Sequence, residues 1–110
     1  MSAVKSVPEG YPSLSPYLIV RDGAAAIDFY QKVFGATLRM KLDAPGGRVG
    51  HAELEIGNGL VMLADEHPEM GALAPTTIGG TPVGLHVYLE DVSTDEIGRR
   101  AAALGRGQHS

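Results

Sequence analysis

The stretch that decides the fold is Ser15–Ala36, SPYLIVRDGAAAIDFYQKVFGA, which predicts one strand followed directly by one helix. Tyr17–Val20 is rich in β-branched and aromatic residues, as expected of a strand covered on both faces. Asp22 is expected to cap the helix, because its carboxylate can accept hydrogen bonds from the free N–H groups of the first turn. Gly35 stands where a helix commonly ends in a left-handed residue. Taken alone, this strand–helix unit carries no chemistry.

Three more strands are predicted after this helix, namely Thr37–Leu42, His51–Ile56 and Leu60–Ala64. The first alternates around Leu38, Met40 and Leu42. The second places two sets of side chains on opposite faces: Ala52, Leu54 and Ile56 on one, His51, Glu53 and Glu55 on the other. The Gly57-Asn58-Gly59 sequence between the last two strands is typical of a tight hairpin. The predicted order is therefore β-α-β-β-β.

The second half of the chain opens with a long polar connection, Asp65–Gly80, of a kind that often serves as a lid or a linker. A strand is predicted at Leu85–Leu89. A helix is then predicted from Ser93, because Glu96 follows at the spacing of a capping box, and it is expected to end at Gly105. Its apolar side chains fall at helical spacing: Ile97, Ala101 and Leu104.

The two strand–helix units look like an internal repeat. Asp22 and Asp91 each follow a strand, and Gly35 and Gly105 each follow a helix, at nearly the same offset. The first unit continues into three strands, whereas only Arg106–Ser110 follows the second. We therefore expect an incomplete second module and an open sheet edge, which favours pairing with another copy as a homodimer.

Composition narrows the function classes. The 110 residues fit one domain, and the net charge of −4 argues against a nucleic-acid partner. The longest apolar run, Leu60–Ala64, is too short to span a membrane, and Met1–Tyr11 lacks the apolar core of a signal peptide. There is no cysteine, so neither disulfides nor thiolate metal sites can form. We expect a cytoplasmic protein with no membrane partner.

Three segments carry a resemblance to a known family: 18–36 (LIVRDGAAAIDFYQKVFGA), 51–66 (HAELEIGNGLVMLADE) and 79–92 (GGTPVGLHVYLEDV). They resemble the vicinal oxygen chelate superfamily, which includes glyoxalase I, bleomycin- and fosfomycin-resistance proteins and extradiol dioxygenases. The PhnB-like branch is the most similar. The resemblance implies an α+β fold in which βαβββ modules form a curved mixed sheet shaped like a cup.

On this basis we expect residues 1–110 to form a single glyoxalase-like domain. Its predicted parts are a leader (1–13), a first βαβββ module (14–64), a linker (65–82) and a truncated second βα module (83–105).

The resemblance also implies a divalent metal in the cup of some members, such as Zn, Ni, Fe or Mn, held by the first and fourth strands of each module. Those positions fall near Ser15, Met62 and Gly84, with His86 two residues further along the same face. Ser and Met are weak ligands for such ions, so we expect no intact metal site. A different set, His51, Glu53 and His86, remains as an alternative.

Three functions stay open. The first is a metal-free binder of a small-molecule ligand in the cup, whose expected lining is Tyr17, His51, Glu53, Met62, His86 and Tyr88. The second is an enzyme, a metal-dependent lyase or dioxygenase with Glu53 as its catalytic base. The third is a non-catalytic domain that dimerises through its open edge. Family membership does not choose among them, because one scaffold hosts several chemistries.

Overall fold

The computed structural model describes residues 8–90 and 92–104. The strands and helices, in chain order, are β1 (Tyr17–Val20), α1 (Gly23–Phe34), β2 (Thr37–Ala44), β3 (Arg48–Ile56), β4 (Gly59–Asp65), α2 (Pro75–Ile78) and α3 (Thr94–Ala103). Short 3₁₀ turns occupy Pro45–Gly47 and Pro68–Met70. The predicted α+β class and β-α-β-β-β order are confirmed.

The four strands form one mixed sheet in the order β1-β4-β3-β2. β1 runs parallel to β4, and the other neighbours are antiparallel. In this register Met62 on β4 pairs with Tyr17 on one side and with Glu53 on the other. β1 and β2 are therefore the two edge strands.

Helix α1 covers one face of the sheet and forms the core with it. The buried residues of that core are Val20, Ala26, Ile27, Ala36, Val49, Ala52, Leu54 and Leu63. No helix of residues 8–90 and 92–104 covers the opposite face, which we call the open face; it presents Tyr17, Ile19, His51, Glu53 and Met62. The alternation of β3 is thus confirmed, because Ala52 and Leu54 point to the helix while His51 and Glu53 do not.

The helix ends follow the predicted capping chemistry. Asp22 Oδ1 accepts a hydrogen bond of 3.1 Å from Ala25 N, and Ser93 Oγ accepts one of 3.1 Å from Glu96 N. Gly35 ends α1 in the left-handed region with φ 69°, which a residue without Cβ adopts at no cost. The expected end of α3, Gly105, lies outside the described residues, as does Asp91 of the proposed repeat.

Asp65 joins the end of β4 to two other elements. Its Oδ1 accepts a hydrogen bond of 2.8 Å from Gly23 N, and its Oδ2 accepts one of 2.6 Å from Val49 N. One carboxylate therefore holds the start of α1 and the start of β3 against the same strand end.

Strand β2 differs from its predicted pattern. The ladder shifts register between Leu38 and Met40, so Leu38 pairs with Leu54 on the helix face while Met40 pairs with Glu53 on the open face. Because of this bulge, Leu38, Met40 and Leu42 do not share one face as expected: Leu38 lies on the helix face, and the other two lie on the open face. Met40 and Leu42 remain exposed there, since β2 is an edge strand without a neighbour beyond it.

The strand predicted at Leu85–Leu89 is wrong as a paired element, because residues 80–89 form no ladder with the described strands. A strand needs a hydrogen-bonded neighbour, and the outer edge of β1 faces this segment across a cavity instead.

The predicted homodimer stays a prediction, which the mass of the protein in solution would test.

Helix α3 packs against α1 through its half-buried side. Arg100 Nη1 donates a hydrogen bond of 3.2 Å to Val33 O, near the end of α1. Ile97, Ala101 and Leu104 are half-buried, in agreement with the predicted stripe. Within residues 8–90 and 92–104, no helix is both long and apolar enough to cross a bilayer.

Candidate functional site

Four polar side chains on the open face form one hydrogen-bonded chain. The Tyr17 hydroxyl lies 3.0 Å from His51 Nδ1, and His51 Nε2 lies 2.9 Å from Glu53 Oε2. The Tyr11 hydroxyl donates a hydrogen bond of 2.8 Å to Glu53 Oε1. Both oxygens of the Glu53 carboxylate and both nitrogens of the His51 ring are therefore engaged.

The fold explains how these residues meet. His51 and Glu53 are two positions apart on β3, so their side chains leave the sheet on the same side. Met62 lies between Glu53 and Tyr17 in the register of β3, β4 and β1, which brings the Tyr17 ring across the strand to within 5.5 Å of the His51 ring.

Glu53 is the one buried charged residue in the described part of the chain, at 4% exposure. Burial alone would raise its pKa, but the hydrogen bonds from His51 and Tyr11, with the charges of His51 and Arg39, hold the pKa of Glu53 below its ordinary value. The carboxylate is therefore ionised at neutral pH. In the tautomer of His51 that carries its proton on Nε2, this proton is donated to Glu53 and Nδ1 can accept the Tyr17 O–H.

Two residues of this cluster were not predicted from the sequence, Tyr11 and Arg39. Arg39 stands over the Tyr11 ring, 4.3 Å from its centroid, and its Nη1 donates a hydrogen bond of 2.7 Å to Gly10 O. The same nitrogen lies 3.6 Å from Glu55 Oε2. The Pro-Glu-Gly-Tyr sequence at 8–11 signals a turn, but nothing local indicates which part of the sheet it contacts.

A cavity of about 370 Å³ lies on the open face, next to Tyr17 at one end of the hydrogen-bonded row of side chains. Tyr17, Ile19 and Ala64 form its floor on the sheet, and Met70 and Ala72 line it from the following loop. Its volume falls within the range of small-molecule sites.

Glu66 fixes the loop that borders this cavity. Its Oε1 accepts hydrogen bonds from Ala74 N at 3.0 Å and from Thr77 Oγ1 at 2.7 Å. Both bonds lower the pKa of Glu66, and the bond from Ala74 has the larger effect. The loop is therefore held by an ionised carboxylate.

A larger cavity, about 930 Å³, lies at the outer edge of β1. Phe29, Tyr30 and Phe34 of α1 line it on one side. His86 and Tyr88 line it on the other, with their rings 4.8 Å apart. Tyr17 borders both cavities.

The six predicted lining residues are thus divided between two places. Tyr17, His51, Glu53 and Met62 share the open face. His86 and Tyr88 lie in the cavity at the β1 edge. Their role in ligand binding stays a prediction.

The donor set does not fit a metal ion. The positions implied by the family, Ser15, Met62 and Gly84, offer no carboxylate or imidazole. In the described ranges, no three His, Cys, Asp or Glu side chains lie close enough to share a cation. His51, Glu53 and His86 are therefore not assembled as a ligand set within this chain.

A family model matches most of the chain. Residues 13–108 match the model of the Glyoxalase/Bleomycin resistance protein/Dioxygenase superfamily. Uncharacterized proteins of Mycobacterium bovis and Mycobacterium tuberculosis are each 45% identical over 84 residues, which is 74% of this chain and 55% and 49% of those proteins. The chain spans about half the length of the curated relatives it matches.

A solved structure is also similar. TioX from Micromonospora sp. ML1 superposes with a TM-score of 0.49 at 22% sequence identity, over 86% of this chain and 72% of that one.

Proposed function

The chain belongs to the Glyoxalase/Bleomycin resistance protein/Dioxygenase superfamily, and from this premise we propose that it binds a small organic molecule on its open face without a metal ion. The observation that carries the proposal is the hydrogen-bonded chain Tyr17–His51–Glu53–Tyr11 beside a cavity of ligand size. A few convergent polar groups among apolar walls are what ligand sites usually offer.

The chain of hydrogen bonds has a direction that suits recognition. Ionised Glu53 favours the His51 tautomer with its proton on Nε2, and in that tautomer Nδ1 accepts the O–H of Tyr17. The Tyr17 oxygen is left as an acceptor for a hydroxyl or N–H group of the ligand. Tyr17 is 48% exposed, so a molecule in the adjoining cavity can reach that oxygen.

Apolar side chains next to this polar chain supply the rest of the contact surface. Met40 is 39% exposed and Leu42 54% exposed, and both pair with the polar residues of β3 on the open face. Met62 lies between Tyr17 and Glu53 in the same layer. Methionine adapts its shape to ligands of different outline, which favours binding over a rigid catalytic geometry.

A metal-dependent lyase or dioxygenase with Glu53 as general base has less support. Both oxygens of that carboxylate already accept hydrogen bonds, and its lowered pKa makes it a weaker base than an ordinary glutamate. These contacts favour a role in which Glu53 positions His51.

The test begins with a small-molecule panel screened by thermal shift on protein treated with EDTA. Binding of each hit is then measured by calorimetry for wild type and for Tyr17→Phe. Loss of one ligand hydrogen bond is expected to weaken binding about fivefold to tenfold. Tyr88→Phe is the matched control, because Tyr88 lies in the other cavity and is 87% exposed.

We expect hits to bind equally well with and without EDTA, and Tyr88→Phe to bind as wild type does. Binding that needs added metal would overturn the metal-free proposal. Binding weakened by Tyr88→Phe and untouched by Tyr17→Phe would move the site to the β1 edge.

A further inference from the structure

The turn that precedes β1 lies on the open face. Tyr11 N donates a hydrogen bond of 3.1 Å to Pro8 O, and Gly10 has φ 82°, in the left-handed region. A Cβ on Gly10 would approach Arg39 Nη2 to 2.8 Å. The backbone angle therefore favours glycine, whereas the end of the flexible Arg39 side chain could shift away from a Cβ at this position. We call residues 8–12 the entry turn.

The entry turn places the phenol ring of Tyr11 between Glu53 and Arg39, and we call this position the niche. At one end the Tyr11 hydroxyl donates to Glu53 Oε1 at 2.8 Å, and the guanidinium of Arg39 covers the ring face at 4.3 Å. A buried carboxylate at the hydroxyl and a cation over the ring are complementary to a phenol. The hydrogen bond to Glu53 also raises the pKa of Tyr11, which keeps its hydroxyl a donor.

Within the part of the chain that the structure describes, the hydrogen bonds between the entry turn and the sheet all involve side chains. Among the described residues, no backbone–backbone hydrogen bond joins positions 8–15 to the sheet, and the tie of Gly10 O is to the Arg39 side chain. Pro8, Glu9, Gly10 and Pro12 are exposed. A molecule that remakes the two contacts of Tyr11 can therefore take its place without breaking the sheet.

We propose that Tyr11 occupies the place of a ligand on the open face, next to the 370 Å³ cavity, and that this ligand is a phenol which enters by displacing Tyr11 from Glu53 and Arg39. This rests on the proposed function of the open face. The same geometry defines selectivity. A neutral hydroxyl donor is accepted by Glu53, whereas a carboxylate in that niche faces the negative charge of Glu53 and is repelled.

The direct test follows Tyr11 in the wild-type sequence. The protein is labelled with 3-fluorotyrosine, which gives one ¹⁹F signal for each of its four tyrosines, and Tyr11→Phe assigns the signal of Tyr11. Titration with p-cresol, the side-chain analogue of tyrosine, is expected to move that signal towards the position of an exposed tyrosine. Toluene, the same ring without a hydroxyl, is expected to leave it in place.

The affinity test uses Tyr11→Ala, which removes the competitor. If the entry turn vacates the niche in about a tenth of wild-type molecules, p-cresol binds the variant about tenfold more tightly than wild type. Adding Glu53→Gln to this variant is expected to reduce its preference for p-cresol over toluene. Thermal unfolding shows whether each variant is folded. The ¹⁹F test uses the wild-type sequence, so its result does not depend on whether the variants fold.

Equal affinity of p-cresol for wild type and Tyr11→Ala, or a Tyr11 signal that p-cresol leaves unmoved, overturns the inference. The proposed function is tested separately, by the small-molecule panel. A panel hit that depends on Tyr17 and not on Tyr88 keeps the open face as a ligand site even if p-cresol never displaces Tyr11.

Discussion

Glu53 Oε2 lies 2.9 Å from Nε2 of His51, although the two residues are two positions apart on one strand. Adjacent residues of one face usually point side by side without touching, but the length of both side chains closes the gap here. The pair gives the open face a buried charge, since Glu53 is 4% exposed, and the contribution of this carboxylate to stability can be measured.

Replacing Glu53 with Gln removes that charge, and the variant is expected to unfold about 1–3 kcal/mol more easily than wild type at pH 7. The pKa of Glu53 is lowered in the folded state. Its contribution is therefore complete above the pKa of the unfolded chain, about 4.3, and disappears as the pH falls through the lower folded value. Urea unfolding at pH 7, 5 and 3.5 should show the difference between wild type and Glu53→Gln shrinking towards acid.

Glu55→Gln is the control for this series, because Glu55 is on the same strand and exposed, and its only described ion pair is with Arg39 at 3.6 Å. Its effect is expected to stay within about 0.5 kcal/mol at each pH. A Glu53→Gln difference that does not change with pH would contradict the ionised carboxylate.

Gly23 begins α1 in a place with no room for a side chain. A Cβ there would lie 2.8 Å from Val49 Cβ and 3.1 Å from Asp65 Oδ2. Gly23→Ala is therefore expected to lower the free energy of unfolding by about 1–3 kcal/mol through overpacking.

Gly98→Ala is the opposite case. Gly98 lies within α3 and is exposed, and no atom of the described residues lies within 4 Å of its Cβ position. The substitution should stabilise the protein by about 0.5–1 kcal/mol, because alanine loses less backbone entropy in a helix. Both changes are measured by chemical unfolding, and a stabilising Gly23→Ala would refute the close packing at the start of α1.

Asp65→Ala would leave the backbone N–H groups of Gly23 and Val49 without their acceptor. The expected cost is about 1–3 kcal/mol for each group that water does not reach. Amide hydrogen exchange at these two positions should quicken more than elsewhere in the sheet. Asp43→Ala, at an exposed position paired with Lys41, should change neither stability nor exchange appreciably.

Arg100→Ala is expected to loosen α3 from α1, since it removes the hydrogen bond to Val33 O. Amides of α3 should exchange about fivefold to tenfold faster, which corresponds to a loss of about 1–1.4 kcal/mol. Arg99→Ala is the control, because Arg99 also pairs with Glu96 but has no described bond to α1. Equal acceleration in both variants would mean that the Glu96 pairs, not the tie to Val33, hold the helix.

The elements that the sequence predicted well are those whose signals are local. Asp22 and Ser93 each cap a helix within three residues of their own position, and Gly35 ends one by its own backbone angle. Strand β3 alternated cleanly because one of its faces packs on α1. Such features need no knowledge of distant parts of the chain.

The predictions that were wrong concern pairing between distant segments of the chain. The register shift in β2 at Leu38–Met40 arises between two strands, and composition carries no sign of it. Leu85–Leu89 has strand-like residues, yet an extended segment becomes a strand only when a neighbour supplies hydrogen bonds.

The candidate site was predicted in part for the same reason. His51 and Glu53 follow from the two-residue period of a strand. Tyr11 meets Glu53 across 42 positions, and Arg39 meets Gly10 across 29, so only the folded structure reveals those contacts. His86 was expected beside His51 and lies instead at the β1 edge.

Tyr17 forms a wall of both the 370 Å³ and the 930 Å³ cavities. A guest that rotated this ring to enlarge one cavity would take space from the other, and the affinities of two such guests would then be thermodynamically linked. Such linkage is reciprocal: whatever factor one guest imposes on the affinity of the second, the second imposes on the first.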